Sequence, residues 1–151
     1  CDLRSCSIEM EKPHNAIYMK NFLRTLVRKV REKERIFPDI ISARDAGRIK
    51  TFREFDDRYT SKLHGFVDAE DYWARASSAG QLGLISSPTL ILNAVDDPIL
   101  GGGCYPYEAA EKNPLLYLET PSKGGHVGFI SRGSEFYWHE KRAVEFVLSH
   151  L

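Results

Sequence analysis

Pro88-Thr89-Leu90-Ile91-Leu92-Asn93-Ala94-Val95-Asp96-Asp97-Pro98 is the stretch on which the fold turns. From Pro88 to Ala94 it is a short, nearly continuous apolar run with turn residues on both sides. That pattern predicts a strand buried on both faces, as in a parallel sheet. Leu115-Leu116-Tyr117-Leu118-Glu119 repeats it after Asn113-Pro114. Residues 104–112, between the two runs, predict a short helix. Further on, Tyr137, Val144, Val147, Leu148 and Leu151 recur at helical spacing, so an amphipathic helix closes the chain. Strand, helix, strand, helix is a βαβ unit with a terminal helix, and the fold class is α/β. Two strands do not make a stable parallel sheet by themselves, so the remaining strands are expected upstream of Cys1.

Residues 7–80 read differently, as a helical segment. Tyr18, Phe22, Leu26 and Val30 step by four, with Leu23 and Val27 beside them, which makes one apolar stripe on a helix over 15–34. Lys and Arg crowd the other positions, interleaved with Glu32 and Glu34, as on a solvated face. Pro38 stops this helix. Shorter helices are expected over Ser42–Ile49 and Thr51–Tyr59, separated near Gly47, with a break at Gly65. Asp68 is placed to cap a helix through Tyr72, Trp73 and Ala76, with Glu70 and Asp71 where the helix dipole favours acids.

Composition excludes several classes. With 42% hydrophobic and 28% charged residues the chain can supply a core, so disorder is not the default. The formal net charge of +0 gives nucleic-acid binding no support. The 15 Lys/Arg against 10 Asp/Glu in residues 1–62, reversed to 6 against 11 in residues 63–151, is a weak asymmetry. No window approaches the about 20 apolar residues of a membrane span. Because the first residue is Cys1 and not Met, a targeting segment or membrane anchor is not judged from this sequence. Cys1, Cys6 and Cys104 are an odd set without CxxC spacing, which argues against a disulfide framework or structural zinc and fits a reducing compartment such as the cytoplasm.

Ligands of open α/β sheets bind at the carboxyl ends of the strands. Asp96-Asp97-Pro98 follows the first strand, and Gly124-Gly125-His126 follows the second. Alone, the first reads as a turn and the second as a loop histidine. Their joint placement after consecutive parallel strands is what suggests chemistry. A carboxylate beside an imidazole fixes its tautomer and stabilises the imidazolium formed when the ring takes a proton. The carboxylate is Asp96 or Asp97.

These residues carry a resemblance. The Pro88–Pro98 run, Gly124-Gly125-His126-Val127-Gly128-Phe129 and the Trp138-containing last helix resemble the carboxyl-terminal portion of the α/β hydrolase superfamily. More narrowly, the sequence is similar to the YheT-like branch of abhydrolase-domain esterases. Phe55-Asp56-Asp57-Arg58-Tyr59-Thr60, His64-Gly65-Phe66, Asp71-Tyr72 and Ala76-Ser77-Ser78 resemble that branch's helical segment. The resemblance implies a partial α/β hydrolase domain over 1–151: a cap-like helical segment at about 7–80, then a C-terminal sheet portion at 81–151 carrying the acid and base of a triad. It implies His126 as base. It favours Asp97 as acid, because Ala94 stands in the place of the small residue three positions before it. It implies hydrolysis of a carboxylic ester or lipid-like substrate by an upstream serine, with no cofactor.

The departure from the pattern is the nucleophile. No serine has glycines two residues before and two after, the Gly-x-Ser-x-Gly elbow. Ser77, Ser78, Ser86 and Ser87 read as helix-end and linker positions. The chain alone is therefore expected to be inactive. Two alternatives stand beside this reading. One is a non-catalytic remnant that serves as an interaction module through an open sheet edge. The other is a metal-dependent hydrolase using Asp96, Asp97 and His126. His64 reads as structural before it reads as pocket-lining, Cys104 as incidental, and Trp138-His139-Glu140 lacks the spacing of a zinc helix.

Overall fold

A computed structural model describes residues 1–131 and 133–151. The chain begins with α1 (Leu3–Met10) and the long α2 (Ala16–Ile36). Next, α3 (Phe52–Phe55), a π-helical turn (Asp56–Thr60) and α4 (Ser61–His64) run on without a break. After α5 (Ala69–Ala76) come β1 (Thr89–Leu92), α6 (Tyr107–Lys112), β2 (Leu116–Glu119) and α7 (Trp138–Leu148). The strands are parallel, with Thr89 opposite Leu116 and Leu92 opposite Glu119. Helices followed by a β–α–β–α unit make this an α/β arrangement. No described helix is long and apolar enough to cross a membrane.

The core lies around α2, whose Met19, Leu23, Val27 and Val30 are buried against Met10, Ile41, Ala46, Phe55 and Tyr59. This corrects the expected stripe. Tyr18 and Phe22 are exposed and Leu26 is half-buried. The apolar arc of α2 is wider than one stripe: Met19, Leu23, Val27 and Val30 are its buried side, while Phe22, at the edge, meets the Phe52 ring of α3. The expected helix over Ser42–Ile49 is also corrected, because only Ala46–Arg48 forms a short 3₁₀ turn. Asp45 sits at φ 58°, a left-handed conformation that cannot continue a helix.

Capping follows ordinary chemistry. Thr51 Oγ1 accepts the Glu54 N–H at 3.1 Å, and Asp68 accepts the Asp71 N–H at 2.9 Å. Gly65, at φ 75°, ends α4. The strands are half-buried where burial on both faces was expected. Among the described residues each strand has one unpaired edge. On α7, Phe146 is buried, while Val144, Val147 and Leu148, expected on the packed face, are exposed, as is Leu151 beyond the helix end.

Candidate active site

Both polar clusters leave the same end of the two-stranded sheet. After β1 the chain keeps strand-like company for two more steps, as Asn93 N–H donates to the Glu119 carbonyl and Val95 N–H to the Pro121 carbonyl. It then turns. Ala94 is buried and its carbonyl accepts the Tyr105 hydroxyl at 2.7 Å. Burial, and next the negative charge of Asp97, hold the Tyr105 phenol above its ordinary pKa, so it stays a neutral donor.

Asp97 is the buried partner of His126. Its side chain is 2% exposed, and Oδ2 lies 2.8 Å from His126 Nδ1. Oδ1 accepts the Ile99 N–H at 2.8 Å, so both oxygens are held. The loop is tied from outside as well. Asn15, fully buried, donates from Nδ2 to the carbonyls of Glu9 at 3.1 Å and Pro98 at 2.6 Å. The helical segment thus grips the residue next to Asp97.

Asp96 does different work. Its Oδ1 accepts the N–H groups of both Gly124 and Gly125 at 2.8 Å. The Gly125 N–H, followed by the Gly124 N–H and the Lys123 ammonium, holds the Asp96 carboxyl below its usual pKa. Asp96 therefore shapes the loop that presents the histidine. Gly125 uses φ 58° in that turn. Gly124 is required by contact, because a Cβ there would lie 2.5 Å from the Phe129 ring and 2.8 Å from the Ala94 Cβ. Phe129 is itself at φ 40°, costly for an aromatic residue, and donates its N–H to the Gly124 carbonyl. Its ring stacks on Trp138.

His126 is 48% exposed on its side chain, and Nε2 has no hydrogen-bond partner among the described residues. The imidazole is held at Nδ1 and open at Nε2, which equips it to exchange a proton with a group on its outer side. Beside it opens an apolar cavity of about 480 Å³ whose lining includes Leu90, Leu92, Val127, Phe129 and Phe146. A larger cavity, about 620 Å³, lies between α2 and the Gly47–Thr51 turn and contains neither Asp97 nor His126.

The structure thus brings Asp97 and His126 together and leaves Asp96 in the turn. His64 is exposed and no part of the cluster. Ser77 Oγ accepts the Leu3 N–H at 3.0 Å, an end-of-helix role. Among the described residues no three His, Cys, Asp or Glu side chains converge as a metal site would require. Sequence reasoning missed Asn15 and Tyr105, since neither has a local motif: each acts on a backbone carbonyl at a distance fixed only by the fold.

No family model matches the chain, and no solved structure matches it. Curated relatives do. An abhydrolase domain-containing protein of Dictyostelium discoideum is 34% identical over 138 residues, 91% of this chain and 35% of that one. YheT of Escherichia coli K12 is 32% identical over 154 residues, 99% of this chain and 45% of that one. Phospholipase ABHD3 of Homo sapiens is 35% identical over 127 residues, 83% and 31% respectively. The chain spans less than half the length of these relatives.

Proposed function

We propose, for a chain that belongs to the abhydrolase-domain, YheT-like branch of the α/β hydrolase superfamily, that Asp97 and His126 are the acid and base of a serine hydrolase acting on carboxylic esters. The observation that carries this reading is the 2.8 Å contact between Asp97 Oδ2 and His126 Nδ1, with Nε2 left open. A phospholipase among the relatives supports a lipid-like ester as substrate class. In this reading residues 1–151 are the carboxyl-terminal portion of the enzyme. The nucleophile is a serine on an elbow upstream of Cys1, in the order Ser, Asp, His.

The steps follow from the geometry. His126 Nδ1–H donates to Asp97, which leaves Nε2 as the proton acceptor. Nε2 takes the serine hydroxyl proton as the oxygen attacks the ester carbonyl. The imidazolium then faces the buried Asp97 carboxylate, whose charge acts strongly because little water intervenes. Nε2 returns the proton to the departing alcohol oxygen, leaving an acyl-enzyme. Water attacks that ester by the same route in reverse. The helical segment, through the Asn15 bond to the Pro98 carbonyl, holds the acid loop.

Hydrolysis of a short-chain p-nitrophenyl ester tests the reading. The 151-residue protein is expected to give no turnover above buffer. A longer chain that includes the upstream elbow is expected to be active and to lose activity on His126→Ala. Turnover by the 151-residue protein that disappears in His126→Ala would overturn the upstream nucleophile, and an active longer chain indifferent to His126→Ala would overturn the base.

A further inference from the structure

The three cysteines, whose odd count and spacing argue in sequence against a disulfide framework, meet in part: Cys6 and Cys104 come together in the structure. All three are free thiols. Cys6, on α1, and Cys104, after the Gly101-Gly102-Gly103 run, place their sulfurs 3.3 Å apart. We propose that Cys6 and Cys104 are an oxidative modification site, which a hydroperoxide converts to a disulfide stapling α1 to the loop that begins at Asp97.

Several independent contacts fix the two sulfurs opposite each other. The glycine run lies directly on α1: a Cβ at Gly101 would run into the Ser5 backbone, and one at Gly103 into the Asp2 carboxylate. No other residue type lets the two backbones approach so closely. On its far side, Cys104 is anchored to the end of β1 by its carbonyl, which accepts the Asn93 side-chain amide at 2.7 Å. A disulfide needs the sulfurs at about 2.05 Å, so the two sulfurs, 3.3 Å apart, have only a short approach left to make. The Cys104 thiol is fully buried, while Cys6 is half-exposed and gives an oxidant its way in.

Thiolate chemistry is also at hand. The Cys6 and Cys104 thiols share one hydrogen bond, and the Asp2 backbone N–H at the start of α1 donates a further one to the Cys104 sulfur at 3.4 Å. These hold the Cys104 thiol down, to about 5, against the opposing cost of burial, while the same shared proton pushes Cys6 up. The pair carries one negative charge and one proton between two sulfurs. The Cys104 thiolate takes the Cys6 proton as the outer Cys6 sulfur attacks the terminal oxygen of the hydroperoxide. The O–O bond breaks, an alcohol or water leaves, and Cys6 becomes a sulfenic acid. Cys104 gives up its proton and attacks the Cys6 sulfur, expelling water. The pair loses two electrons and its one proton, the hydroperoxide takes up both electrons, and one further proton from solvent completes the alcohol and water that leave.

Stoichiometric hydrogen peroxide added to the reduced protein tests this, with alkylation in denaturant and peptide mapping. The expected product has lost two hydrogens, has one alkylatable thiol left, and yields a Cys6–Cys104 cross-linked peptide. Cys1→Ser should keep the link; Cys6→Ser and Cys104→Ser should abolish it. Oxygen added to a single cysteine, a link through Cys1, or no reaction under peroxide that oxidises glutathione would each overturn the site. The oxidised wild type should melt about 5–10 °C higher, given the long loop it closes, and dithiothreitol should reverse this. An unchanged melting temperature would overturn the staple.

Discussion

The two adjacent aspartates have one chemistry and two jobs, which substitution separates. Asp97→Asn in the active longer enzyme should cut kcat by about four orders of magnitude, because an amide cannot hold the tautomer that leaves Nε2 free. That corresponds to about 5 kcal/mol of barrier. Asp96→Asn should cost far less, since an amide oxygen still accepts from Gly124 and Gly125. Ester-hydrolysis rates for both variants check this, and equal losses would exchange the two roles. Asp96 also predicts a pH dependence. Its folded-state pKa is depressed, so its stabilisation is present above the ordinary carboxylate range and lost as pH falls through the lowered value. The Gly124 and Gly125 amide proton shifts should move upfield over that fall, and should stay flat in Asp96→Asn. The sequence made the pair of loops legible, because each follows an apolar run. Residues alone left Asp96 and Asp97 undivided, since the division depends on which oxygen meets a backbone N–H 28 residues away.

At the scale of elements, the close seat of the glycine run on α1 should be visible in stability. Gly101→Ala puts a methyl into the Ser5 backbone, which cannot swing aside as a side chain would. The loop must shift, at about 1–3 kcal/mol for overpacking. Gly102→Ala meets nothing within 4 Å and should be neutral, or stabilising by about 0.4–1 kcal/mol through the unfolded chain. Urea midpoints of the two variants would show the contrast, and equal midpoints would mean the contact is loose. Elements differed in how readable they were. Capping at Asp68 and the stop at Gly65 are local and could be read directly. The buried face of α2 could not, because its apolar arc offers two faces and the partners Phe55 and Tyr59 that choose between them lie far along the chain. The Ser42–Ile49 helix failed on one residue, Asp45, whose left-handed backbone has no marker in composition.

Taken whole, the molecule exposes 10273 Å², whereas a compact monomer of 17.2 kDa exposes about 7,800 Å². The surplus is of the order of a substantial protein interface. Part of it is apolar: Val144, Val147 and Leu148 on α7, with Ile130 and Phe136 in the loop before it. The purified 151-residue protein should therefore self-associate with rising concentration and bind an apolar fluorescent dye. Val147→Glu with Leu148→Glu should weaken both. Sedimentation velocity would reveal this, and a dilute-to-concentrated series with one unchanging monomer species would count against it. The parallel register, finally, governs which changes of length the site can absorb. Thr89 lies opposite Leu116, an offset of 27 residues, and Asp97 meets His126 across 29. Asp97 and His126 therefore meet because each stands a few residues beyond its own strand, whatever the route between the strands. Insertions at the outer turn around Lys112–Pro114 leave both arms as they are. A single residue added between Leu92 and Asp97, or between Glu119 and His126, carries one partner past the other. Residues inserted in the crossover should therefore leave the Asp97–His126 contact intact, and one residue added to either arm should break it.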